Sequence, residues 1–122
     1  MVNKLTEYLC KRNVADSFFL EFILSKSTQK SEFKLFFVNN QEYMISHFLD
    51  ESNVLGHDLI ATNDILKTTE TDMLVFAMVE GDDAVCLNLS DNSIWLWRFE
   101  SYDTNFIKIA DSFGEFIDIA VK

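Results

Sequence analysis

The chain has 122 residues, a mass of 14.2 kDa and a mean hydropathy of +0.05, with 48% hydrophobic residues, 12 Phe and 2 Trp. This suits one packed core and excludes an acidic disordered tail, which would be poor in aromatics. Twenty acidic and ten basic residues leave a formal charge of −10, a field that repels nucleic acid and anionic lipid and draws in basic proteins, although acidity also simply keeps small proteins dissolved.

The charge is unevenly placed. Residues 1–40 hold six basic and four acidic groups, net +2, whereas residues 41–122 hold four basic and sixteen acidic ones, net −12. The start, MVNKLTEYLCKRN, lacks the continuous apolar segment of a secretory signal, and no apolar run is long enough to span a membrane, so a cytoplasmic location is expected. Cys10 and Cys86 do not resemble a disulfide framework and read as buried thiols. With them, His47 and His57 are too few and too scattered for a zinc site, so no metal and no cofactor is expected.

In chain order, Val2, Leu5 and Leu9 share one face of a short helix over 2–12. Ala15, Phe18, Phe19, Phe22 and Ile23 follow helical spacing and predict an amphipathic helix from Val14 to Leu24. The polar tract SKSTQKS at 25–31 is a loop. Phe33, Leu35 and Phe37 alternate with Lys34 and Phe36, the Asn39-Asn40 pair suits a tight turn, and EYMISHFL follows as a second strand. That hairpin would put Tyr43, Ile45 and Leu49 on one side and Met44 and Phe48 on the other. Residues 50–72 read as a loop followed by a short helix or an extended connection.

Residues 73–99 organise the chain as a three-stranded meander. Met73–Val79 is apolar throughout, as in a strand covered on both faces, and GluGlyAspAsp at 80–83 turns the chain, with Gly81 free to take positive φ. Val85, Leu87 and Leu89 alternate with Ala84, Cys86 and Asn88, and after a turn at 90–93, Ile94 and Leu96 oppose Trp95 and Trp97. Finally Phe106, Ile109, Ala110, Phe113, Ile117, Ala120 and Val121 share a helical period, predicting a long C-terminal helix over 104–121 that Asp103 or Thr104 would cap. Gly114 inside it marks either a close contact or nothing. The expected fold is a single α+β domain over 1–122, with a mainly antiparallel sheet of about five strands under N-terminal helices and that long helix.

No catalytic motif occurs: paired carboxylates have no fixed separation, and no Ser, His or Cys lies in a nucleophile context, so the chain is expected not to be an enzyme. Trp95 and Trp97 suit either core, packed beneath a helix such as 104–121, or binding anchors. Glu80, Asp82 and Asp83 lack calcium-loop spacing. With Asp91 and Glu100 they are the candidate partner-binding residues, the bland alternative being solvated turns.

Gly81-Asp82 leading into Ala84–Leu89, the S-D-N-S turn at 90–93, Trp95-Leu96-Trp97 and IADSFGEFI at 109–117 together resemble the SUKH superfamily, which joins fungal cell-wall-synthesis regulators to bacterial toxin-immunity proteins. The N-terminal half agrees in element order only. It carries Val14-Ala15-Asp16 and SKSTQKS where members often carry Leu-Pro and a glycine-rich loop. The resemblance implies a non-catalytic α+β protein of the cytosol that binds a partner. One form is an immunity protein that neutralises a cognate toxin, often a nuclease, through an acidic surface; the other is a regulatory or scaffold protein of the cell-wall type. A nuclease holds phosphates with basic groups, so an acidic inhibitor is a sensible counterpart.

Overall fold

The computed structural model describes residues 4–25, 34–51, 56–81, 83–98 and 106–120. Helices α1 (Lys4–Lys11) and α2 (Ser17–Leu24) precede strands β1 (Leu35–Val38) and β2 (Gln41–Phe48). Helix α3 (Leu59–Ile65) and a 3-10 turn at Thr68–Glu70 lead into β3 (Met73–Val79), β4 (Asp83–Asn88), β5 (Ile94–Trp97) and β6 (Phe106–Ala110), and α4 (Phe113–Ile119) follows. The six strands pair in chain order β1-β2-β3-β4-β5-β6, every neighbour antiparallel. Antiparallel neighbours can be joined by short turns, as between β1 and β2, β3 and β4, and β4 and β5, whereas the connection from β2 to β3 carries α3 and the 3-10 turn. Asn39 and Asn40 take φ of 52° and 64°, the pair of left-handed residues that matches the twist of a two-residue hairpin, and Gly81 takes φ 91°.

The meander at 73–97 follows the sequence reading, and β3, flanked on both sides, is buried almost throughout. Other elements differ. Helix α2 starts at Ser17 rather than Val14, because the Asp16 carboxylate accepts the Phe19 N–H at 3.1 Å and caps it. The long C-terminal helix is instead a sixth strand followed by a seven-residue helix, whose start is capped by Ser112 accepting from Glu115 N–H at 3.1 Å. Asp103 and Thr104 lie outside the described residues. Phe106, Ile109, Ala110 and Phe113 do fit a helical period, but β-branched Ile107 and Ile109 favour a strand once β5 offers an edge to pair with.

A second correction concerns β2. Its register against β3 shifts between Ile45 and His47, so that Ile45 pairs with Val79, His47 with Met78 and Phe48 with Ala77. The extra residue, Ser46, resets the alternation, and Phe48 joins Tyr43 and Ile45 on the buried face while Met44 is left outside. A matching shift between Val75 and Ala77 inserts Phe76, whose ring packs against Phe19, Phe48, Phe113 and Phe116 with centroids 5.1, 6.4, 5.7 and 6.0 Å away. Helices α2 and α4 therefore sit on the sheet face that carries Phe36, Phe48 and Phe76.

Within the region 50–72, helix α3 (Leu59–Ile65) and the 3-10 turn after it are held by two polar pins. Asn63, fully buried, donates from Nδ2 to the carbonyls of Leu59 (2.8 Å) and Val75 (2.9 Å), and its Oδ1 accepts from Val75 N–H (2.9 Å) and the Thr68 hydroxyl. It serves the backbone of Val75 as a neighbouring strand would, past the point where β2 ends. Arg12 reaches from the end of α1 to the carbonyls of Thr68 (3.0 Å) and Met73 (2.7 Å) and to the Tyr8 hydroxyl (3.0 Å).

Asn63→Leu keeps the volume but leaves both backbone groups of Val75 buried without a partner, so it is expected to cost about 2–4 kcal/mol in urea unfolding; a loss within experimental error would show that the pin is dispensable. Gly114 has ordinary φ, and a Cβ there would meet nothing nearer than Ser112 Oγ at 3.9 Å. Gly114→Ala is accordingly expected to raise stability by roughly 0.5–1 kcal/mol, read from the same urea midpoint.

Candidate functional site

The acidic residues singled out from the sequence do not form one cluster. Glu80 is exposed at the end of β3 and Asp83 is half-buried at the start of β4, whereas Asp91 is exposed in the turn beyond the other end of β4. At about 3.3 Å per residue the two turns are separated by roughly the length of that strand, 15–20 Å. Asp82 and Glu100 lie outside the described residues.

What surrounds Glu80 was not apparent from sequence. Its N–H donates to the Met44 carbonyl at 2.8 Å, which sets the β3–β4 turn beside the β1–β2 hairpin. On that hairpin Leu35 lies opposite Met44 and Phe37 opposite Glu42, on the face turned away from the buried Phe36–Tyr43 stack. Phe37 and Met44 are each 51% exposed. Two exposed apolar side chains and the carboxylates of Glu42 and Glu80 thus share one corner of the sheet. The signal that could have found them is the alternation in LFFV, which cannot bury Phe36 and Phe37 together.

The second turn is tied to a tryptophan. Trp95 Nε1 donates to Ser93 Oγ at 2.7 Å, and the Ser93 hydroxyl and N–H both donate to Asp91 Oδ1, the N–H at 3.0 Å. These two bonds, the hydroxyl's first, hold the Asp91 carboxyl below its ordinary 3.8, and Lys108 adds a smaller Coulomb effect. Lys108 is itself paired with Asp111 at 2.5 Å. Trp95 and Trp97 are half-buried, opposite Cys86 and Ala84 on the sheet, and Trp97 stacks on Phe106 with centroids 5.3 Å apart. They do not pack beneath the C-terminal helix, since α4 lies on the other face with Phe113 and Phe116.

Neither histidines nor cysteines assemble into a reactive site. The rings of His47 and His57 stack at 3.9 Å and 18°, and His47 Nε2 donates to the Gly56 carbonyl at 2.6 Å, leaving Nδ1 to accept from the Ser46 hydroxyl at 2.9 Å. Nitrogen lone pairs lie in the ring planes, so parallel stacked rings cannot converge on one ion. Among the described residues no group of three or more His, Cys, Asp or Glu is placed to hold a metal. Both cysteines are free; Cys86 is buried and burial pushes its thiol far up, while Cys10 is exposed on α1, against the expectation that both would be buried. No helix among the described residues is long and apolar enough to cross a membrane.

Compared with known families, residues 9–119 match the model of the SMI1/KNR4 family (SUKH-1). The match spans every described strand and helices α2 to α4. No curated protein and no solved structure matches the chain significantly.

The lowered Asp91 pKa carries a pH signature. A depressed carboxyl favours the folded state while ionised, so its contribution is complete above 3.8 and is lost as pH falls through the lower folded value. The urea midpoint of wild type should therefore exceed that of Asp91→Asn by a constant margin near neutral pH, and the margin should close below the ordinary carboxylate range. A margin that persists unchanged in acid would exclude the Asp91–Ser93 bonds as its source.

Proposed function

We propose a function for a chain that belongs to the SMI1/KNR4 family (SUKH-1): it is an immunity-type binding protein that recognises a basic toxin domain, such as a nuclease, and occludes it. Membership supports the coarser statement, that the chain is an immunity- or regulator-type protein working through contact with other proteins. The finer reading is carried by one observation, the net −12 of residues 41–122, which supply most of the sheet. A nuclease must cradle phosphate with lysines and arginines, and a folded acidic surface competes for those groups without any chemistry of its own. The proposed contacts are Glu80, Asp82 and Asp83 on one turn, with Asp91 and Glu100 as a more distant set. The absence of a recognisable nucleophile, acid–base pair or phosphate loop in the sequence accords with a role that ends at binding.

The test is rescue. Co-expressed with a toxin domain encoded beside its gene, the chain should restore growth and should bind the purified domain with an association rate that falls as salt is raised. Glu80→Lys with Asp82→Lys is expected to slow that association roughly tenfold at low salt and to leave the thermal midpoint close to wild type. Failure to bind or rescue would favour the regulatory reading of the family over the immunity one. An unchanged association rate in the double variant would remove this turn from the contact.

A further inference from the structure

We infer that the corner of the sheet formed by Phe37 and Met44, with Glu42 and Glu80 beside them, is the docking surface for the basic partner, and that it accepts an apolar anchor flanked by lysine or arginine. The inference rests on the basic-partner reading above and adds where, and by what chemistry, that partner is held.

Three observations converge on this corner. Phe37 and Met44 are large apolar side chains at 51% exposure on adjacent strands, although a buried face with room for aromatic rings lies on the other side of the same hairpin. Met44 lies outside because it alternates with the inward Tyr43 and Ile45 in regular pairing with β1, so its exposure follows from the register of β2 rather than from a loose end. Among the described residues the charge beside the pair on this face is acidic: Glu42 faces Phe37 across the hairpin and Glu80 is bonded through its backbone to Met44, while Lys34 and Arg98 fall on the opposite side by strand alternation. Lys108, the described cation on the same sheet face, lies at β6 and is paired with Asp111.

An apolar centre edged by carboxylates divides the work of binding in a familiar way. Removing Phe37 and Met44 from water supplies affinity, and methionine adapts its shape to the anchor it meets. The carboxylates steer a cationic partner inward and reject acidic ones, which lack a counter-charge at the edge. Charge alone would attract any cation; the apolar pair makes the surface selective for one that also presents a hydrophobic side chain.

The experiment uses the whole chain labelled with 13C at the methionine methyl groups, and three soluble peptides of equal length: lysine with leucine, lysine with glutamine, and glutamate with leucine. The lysine–leucine peptide should shift the Met44 methyl signal and leave that of Met73 in place. It should bind at least about tenfold more tightly than the lysine–glutamine peptide, the equivalent of about 1.4 kcal/mol, and the glutamate–leucine peptide should not bind. Phe37→Ser with Met44→Ser should abolish the preference for leucine while the remaining methionine signals report an intact fold. If both lysine peptides bind equally and leave the Met44 signal where it was, the basic-partner reading stands and this surface is overturned. If neither binds, both are overturned.

Discussion

The packing of Phe76 is the contact on which the other elements depend. It sits on β3, an interior strand of the sheet, and the rings of Phe19, Phe48, Phe113 and Phe116 close around it from α2, β2 and α4. Fully burying one such side chain contributes about 1.5–3 kcal/mol, and edge-to-face ring pairs add to it. Helices of seven or eight residues would not persist alone, so α2 and α4 exist because this cluster gives their apolar faces somewhere to go. Two bulges, at Ser46 and Phe76, are the local irregularities that make the arrangement possible.

The aromatic cluster has a polar complement at the end of β3. Where β2 stops, Val75 would be left with an N–H and a carbonyl facing the interior, and Asn63 meets both. Arg12 then joins α1 to the same place through the carbonyls of Thr68 and Met73. Hydrogen bonds of this kind contribute little net free energy while formed and cost much more when one partner is removed. They therefore act as position markers: α1 and α3 are fixed at the end of the sheet, away from the corner that carries Phe37, Met44, Glu42 and Glu80.

That separation is what makes a binding role physically reasonable for a SUKH-1 chain. The helices occupy one face and one end, and the hairpin corner carries exposed apolar and acidic side chains without weakening the core, because neither Phe37 nor Met44 belongs to it. The second acidic turn is different in kind. Asp91 is engaged by Ser93, which also receives the Trp95 indole, so its carboxylate helps hold a tryptophan in place. Of these two acidic turns, the one at Glu80 lies beside exposed large apolar side chains, Phe37 and Met44.

Much of the architecture was legible in the sequence. The meander at 73–97 and the Asn39-Asn40 and Gly81 turns followed from period-two alternation and from residues that tolerate positive φ, and both are local properties. The family resemblance came from the same stretch and from 109–117, and the match over 9–119 agrees with it. What local pattern could not decide was anything requiring a partner strand. Phe106, Ile109, Ala110 and Phe113 satisfy a helical period as well as a strand followed by a helix, and only pairing with β5 selects the latter. Likewise Phe48 and Met44 share a side by alternation, and only the register against Val79 and Met78 inserts a bulge that turns Phe48 to the buried side and leaves Met44 where alternation puts it. By itself the sequence determined the strands of the meander, their turns and the surplus of negative charge. Tertiary structure decided which side of the sheet each side chain faces, since one extra residue in a ladder reverses every position after it.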